Sequence, residues 1–169
     1  MRCVCPRGTT PPNLGFDKKS FGAPLQTVAV TQTIPLTFLE NLGVRPQIRY
    51  ISQFSVSGCA QKLASDGIVE HYSSANKAAQ AAQVDAVIVS SVAGGAYGWN
   101  DPNSPHKLIC DKASSEATLL AGSEWIKFWG LFFAKEPEAA TSHCATEARY
   151  TCNSVAAGPI PAASSHPTA

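Results

Sequence analysis

The sequence predicts an α/β protein: a three-layer, mostly parallel sheet with covering helices, followed by a long helical segment. Three observations lead there. Short β-branched runs alternate with helix-like segments between residues 25 and 91, joined by short links. The run "DAVIVSS" (85–91) is apolar without polar alternation, as suits a strand covered on both faces. From about Ser115 to Tyr150 the pattern turns helical.

In chain order, residues 1–24 are rich in Pro, Gly and Thr and read as an irregular lead-in. "LQTVAV" (25–30) reads as a first buried strand. In "TIPLTFLENLGV" (33–44), Thr33 can cap a helix and Pro35 sits in its first turn. Ile34, Phe38, Leu39 and Leu42 recur at helical spacing before Gly43 stops it. "IRYIS" (48–52) reads as a strand, "SGCAQKLASDG" (57–67) as a helix and "IVEHY" (68–72) as a strand. "SANKAAQAAQV" (74–84) reads as a helix before the strand at 85–91. "VAGGAYGWNDPNSPHK" (92–107) is a long loop, and "LICD" begins one more strand. The predicted organisation is a lead-in at 1–24, an α/β lobe at 25–114, linker-type helices at 115–155 and a disordered tail at 156–169. The helical region breaks near Glu136-Pro137, where Pro can open a second helix.

Composition excludes several functions. The chain is 44% hydrophobic and 15% charged, which fits a packed domain and not disorder throughout. Its 13 basic and 12 acidic side chains leave a net charge of +1, so there is no electrostatic footprint for nucleic acid. No apolar run approaches the roughly 20 residues a membrane helix needs, and the opening "MRCVCPRGTTPP" has no signal-peptide core. The cysteines at 3, 5, 59, 110, 144 and 152 would permit disulfides in an oxidising compartment. They show no CxxC pair, and "CVC" alone cannot build a tetrahedral zinc site. No cofactor is expected.

Catalytic motifs are equally absent from the sequence. There is no G-x-S-x-G elbow, and "GGAYGWN" (94–100) lacks the GxxxxGK[ST] of a phosphate loop. His71, His106, His143 and His166 are scattered, and no spacing joins Ser90 or Ser91 to Asp101 and His106 as a triad. The expectation is a protein that is not an enzyme, with a small α/β enzyme as the weakest alternative.

The aromatic segment "SEWIKFWGLFFAKEPEA" (123–139) carries Trp125, Phe128, Trp129, Phe132 and Phe133 at i, i+3, i+4, i+7 and i+8. That spacing makes one continuous helical stripe, the pattern of a face turned to a core.

With its upstream neighbour, "SEATLLAGSEWIKFWGLFFAKEPEA" (115–139) resembles a segment of ABC-type substrate-binding proteins of the siderophore, haem and cobalamin class. Glu116, Leu120, Glu124, Trp125, Ile126, Lys127, Phe128, Phe132, Phe133, Lys135 and Glu136 fall in register with the family pattern. "RGTTPP" (7–12) is similar to the family's early β-hairpin turn. "VAVTQTIPLTFLENLGV" (28–44) is similar to its first strand–turn–helix, and "CAQKLASDGIVE" (59–70) with "QVDAVIVSS" (83–91) to the next helix and strands. Leu119 and Gly122 depart from the family's Pro and Arg, and no second lobe follows the linker in this sequence. The resemblance implies an N-terminal lobe plus linker helix that binds a metal chelate of siderophore, haem or cobalamin type, outside the cytoplasm: extracellular, periplasmic or at the cell surface.

It also implies a ligand cleft at the carboxyl ends of the strands. Thr31, Gln32 and Thr33 follow the first strand, and Ser90 and Ser91 the last, with Tyr97 and Trp99 in the loop beside them. Further partners would be a membrane permease, which can be met by acidic residues such as Glu116 and Glu124, or a second copy of the chain. The residues alone read Glu116 and Glu124 as helix-start carboxylates favoured by the macrodipole. A lone lobe would bind weakly or not at all, or would serve as an interaction scaffold.

Overall fold

The computed structural model describes residues 2–10, 19–73, 75–90 and 108–158. A five-stranded sheet is built from β3 (Val28–Val30), β4 (Ile48–Ile51), β5 (Glu70–His71), β6 (Ala86–Val89) and β7 (Leu108–Cys110). Its order is β5-β4-β3-β6-β7, and every neighbouring pair is parallel. The chain thus starts in the middle, walks to one edge and returns to fill the other side of β3.

Right-handed crossovers then dictate where the helices lie. α1 (Thr33–Asn41) and α2 (Gly58–Ser65), made on the outward walk, cover one face; α3 (Lys77–Ala82), made on the return, covers the other. The core divides accordingly. Val28, Val30, Ile51 and Ile88 pack with Leu36, Leu39 and Ala60, whereas Ala29, Tyr50, Val87 and Val89 pack with Ala81. Successive strand residues point to opposite faces, and both faces are buried, which is why these strands are apolar throughout. The α/β layering read from the sequence is present.

α4 (Leu119–Phe133) lies on the first face, and α5 (Glu136–Ala157) folds back against it. Thr118 caps α4 by accepting the Ala121 N–H at 3.1 Å. Within its aromatic stripe Trp129, Phe132 and Phe133 are buried with Ile126, while Trp125 and Phe128 are half-buried at its upper end. Their rings meet edge to face: Trp125 to Phe128 at 5.0 Å, and Phe128 to Phe132 at 5.1 Å. Ala134 ends α4 with φ 52°, a left-handed residue that turns the chain sharply. The turn brings Ala139 against Gly130 so closely that a Cβ on Gly130 would stand 2.8 Å from the Ala139 Cβ. Beyond His143, residues 144–157 of α5 are exposed throughout.

The lead-in differs from the expectation of irregular chain. β1 (Arg2–Pro6) and β2 (Lys19–Ala23) form a separate two-stranded pair, and the pair is parallel, so the stretch after β1 is not a hairpin turn. Gly- and Pro-rich composition hid these strands because their anchors are few and specific. Phe21 is fully buried, edge-on to Phe132 at 5.4 Å. The Leu25 N–H donates to the Phe132 carbonyl at 2.8 Å. Arg7 reaches the Pro24 carbonyl and the Asp85 carboxylate. Boundaries also move: β3 begins at Val28 and not at residue 25, β5 keeps only Glu70–His71 of "IVEHY", α4 begins at Leu119 and not near residue 115, and α5 continues to Ala157, past residue 155.

Asp85 ties this lead-in to the amino end of the sheet, accepting the Gln26 N–H at 2.7 Å, the Thr27 N–H at 3.3 Å and the Arg7 guanidinium. Partial burial alone would raise its carboxyl; those hydrogen bonds and the Arg7 charge outweigh it and hold the group below the ordinary Asp value of 3.8. A depressed carboxyl stabilises the fold fully above the unfolded value and ceases to do so as pH falls through the lower folded one. Asp85→Asn is therefore expected to cost about 1–2 kcal/mol at neutral pH. The difference from the parent should shrink below pH 3.8 in urea titrations repeated across pH. Gly130→Ala should cost about 1–3 kcal/mol by overpacking. Adding Ala139→Gly should not restore full stability, because the Lys135 carbonyl stays 3.1 Å from the new methyl and a glycine within α5 costs about 1 kcal/mol.

Candidate functional site

Open parallel sheets take ligands at the carboxyl ends of their strands. Here that rim is polar and rigid. The residue after each of four strands donates its backbone N–H to the last carbonyls of a neighbour: Thr31 to Ile88 at 3.1 Å, Ser52 to Val30 at 2.9 Å, Tyr72 to Ile51 at 2.7 Å, and Asp111 to Val89 at 2.8 Å. All four are buried. The sheet therefore runs one rung past its strands, and its carboxyl edge cannot fray without breaking these bonds.

A cleft of about 250 Å³ opens on this rim, lined by Thr31, Ser52, Gln53, Phe54, His71, Tyr72 and Ser73. Each side chain is set by its element. Thr31 donates its hydroxyl to the Ile88 carbonyl at 2.7 Å, so it fastens β3 to β6 and shows the cleft little free polarity. Ser52 Oγ accepts the Phe54 N–H at 3.2 Å and turns the chain, leaving Phe54 64% exposed. From the other face Gln80 of α3 reaches under β5: its amide oxygen accepts the Ser73 N–H at 2.8 Å and its amide nitrogen donates to the His71 carbonyl at 3.1 Å. One buried side chain thus holds the end of β5 at His71 and the loop that follows it. Gln80→Met should loosen that loop, costing about 2 kcal/mol for two lost hydrogen bonds. It should also speed amide exchange at Ser73 well beyond that of the central strands.

On the far side of β6, Asp111 receives the Ala113 N–H at 3.1 Å and the Trp129 indole N–H at 3.1 Å. Burial pushes its carboxyl above the ordinary value, and those two hydrogen bonds offset this only in part. Glu116, read from the sequence as a helix-start carboxylate, instead accepts the Trp125 indole N–H at 2.8 Å.

Of the residues named from the sequence, Thr31 lines the cleft. Gln32 is the residue just before α1 and Thr33 the first within it; neither caps the helix through its side chain, contrary to the capping role read for Thr33. Ser90 is exposed just past β6, where its carbonyl accepts from the Cys110 thiol. Ser91, Tyr97 and Trp99 lie outside the described residues. The cleft residues between Ser52 and Phe54 and between His71 and Ser73 were missed. The signal that finds them is the carboxyl-end rule applied to "IRYIS" and "IVEHY" as well as to the central strands. Among the described residues no group of three His, Cys, Asp or Glu stands close enough to hold a metal ion, and no helix is long and apolar enough to cross a membrane.

No family model and no curated protein matches the chain. Solved structures do. A periplasmic binding protein from Veillonella parvula superposes with a TM-score of 0.61 at 15% identity, over 83% of this chain and 49% of that one. A possible iron-binding (periplasmic solute-binding) protein from Staphylococcus epidermidis gives 0.60 at 14% identity, over 85% and 58%. An ABC-type Fe3+-hydroxamate transport system from Saccharomonospora viridis gives 0.57 at 17%, over 78% and 51%. The chain therefore has the fold of periplasmic solute-binding proteins, and it spans about half the length of these three structures. The fold is the one that the segment 115–139 suggested.

Proposed function

We propose that this chain is a solute-binding lobe that captures a ferric siderophore or a related metal chelate at the carboxyl edge of its sheet, without catalysis. The observation that carries this reading is the cleft held by the extra rung of the sheet, on a fold shared with solute-binding proteins. Two of the similar structures are described as iron-binding and as an Fe3+-hydroxamate transport system, which points to the chelate class. Such a ligand brings its metal already coordinated, so the protein needs outer contacts and no metal ligands of its own. The Gln53 amide, the His71 imidazole and the Ser73 hydroxyl meet chelate oxygens. Phe54 gives a flat apolar platform. Thr31, Gln32, Thr33, Ser90, Ser91, Tyr97 and Trp99 complete the contact set inferred from the sequence.

A cleft formed by one lobe leaves the ligand's other side in water, so affinity is weak unless a second copy or a partner covers it. The setting is periplasmic, extracellular or at the cell surface, with a membrane permease as the downstream partner. The alternative, an interaction scaffold, draws on the exposed end of α5, where Tyr150 is 44% and Val155 76% exposed. Self-association in sedimentation that leaves chelate binding absent would favour that alternative.

Titration of the labelled chain with a gallium(III) trihydroxamate, haem and cobalamin is the test, read by amide chemical shifts. The expected result is weaker than micromolar binding of the trihydroxamate, with shifts centred on residues 52–54 and 71–73. Shifts confined to other surfaces, or none at millimolar chelate, would refute the ligand assignment. Submicromolar binding by a monomer would refute the weak-binding part.

A further inference from the structure

At the opposite, amino edge of the sheet lies a cavity of about 620 Å³, reached between the α1–β4 and α2–β5 connections. Its size is that of a small-ligand pocket. Three features give it a chemical character. Arg45 and Arg49 line it, and none of its lining residues is acidic. Arg45 is exposed and makes no ion pair among the described residues; Arg49 meets Glu70 at 3.2 Å with both side chains about half exposed, a weak surface pair that an anion can displace.

The second feature explains how Arg49 comes to be there. Val28 pairs with Ile48 and Ala29 with Tyr50, so Arg49 is an extra residue in β4 with no partner on β3. Without that bulge Ile48 and Tyr50 would share a face; with it they enter opposite core clusters, and the intervening arginine is left at the cavity wall. Bulges re-aim side chains in this way beside functional sites.

The third feature is an apolar wall of Ile48, Leu63 and Ile68, with Ile68 63% exposed.

We propose that this cavity is a second binding site, distinct from the chelate cleft, for a small amphiphilic carboxylate: the chemistry of a medium-chain fatty acid. The carboxylate meets Arg45 and Arg49. The hydrocarbon chain covers Leu63 and Ile68.

Calorimetric titration with octanoate, octanol and an octyltrimethylammonium salt tests this directly. Octanoate is expected to bind more tightly than octanol, and the ammonium salt not to bind. Arg45→Ala and Arg49→Gln are expected to weaken octanoate by about tenfold each, with unchanged circular dichroism. A gallium(III) trihydroxamate should not compete. The proposal is overturned by absence of octanoate binding at millimolar concentration, by binding indifferent to both arginine substitutions, by equal binding of the cation, or by competition from the trihydroxamate.

Discussion

The packing of α4 onto the sheet is the constraint on which the rest depends. A parallel sheet buried on both faces must be covered on both, and α1, α2 and α3 are short helices of 9, 8 and 6 residues. α4 supplies the missing cover with Trp129, Phe132, Phe133 and Ile126. Burying a side chain such as Phe132 contributes roughly 1.5–3 kcal/mol. The single polar atom in that surface, the Trp129 indole nitrogen, finds the Asp111 carboxylate at 3.1 Å. Through that bond the helix is registered on β7, and through Phe21 and the Leu25 N–H it also receives the β1–β2 pair. The stripe, whose spacing marks it as a core face, is the joint that holds the lead-in, the sheet and α5 together.

Rigidity at the core leaves the chemistry to the two edges of the sheet, and they differ in kind. At the carboxyl edge the backbone continues its ladder one rung beyond the strands, and buried Thr31, Ser52, Tyr72 and Asp111 close it. Side chains that project from such an edge are held in place before a ligand arrives, and less is lost on ordering them. At the amino edge the Arg49 bulge sets two arginines beside an apolar wall. One edge is polar and shaped; the other is cationic and open.

Much of the fold was legible in the sequence. The alternation of strand and helix, the apolar character of "DAVIVSS" and the single face of the aromatic helix are local patterns, and each appears at the expected place. The errors fall where a residue's role depends on a distant one. Nothing in "RCVCP" or "KSFGA" announces a strand, since the two pair across an intervening stretch of chain and are pinned by Phe132 and Asp85 from elsewhere. Thr33 was read as a cap and Glu116 as a helix-start charge from position alone, whereas Gln32 occupies the capping position without a side-chain bond and Glu116 is taken by Trp125. Of the candidate site, Thr31 was found because it follows the central strand, while Phe54 and His71 were missed because their strands were not followed to their ends.

What the sequence determined by itself is the class of layers and the stripe that covers them, because periods of 2 and 3.6 residues are written into a chain one segment at a time. What only the tertiary structure decided is which segments meet. The strand order that sets the ends of β3, β4 and β5 side by side, the reach of Gln80 under β5 and the extra residue at Arg49 all belong to that second kind. These depend on crossover direction and on register between segments far apart in sequence, and no local pattern encodes either.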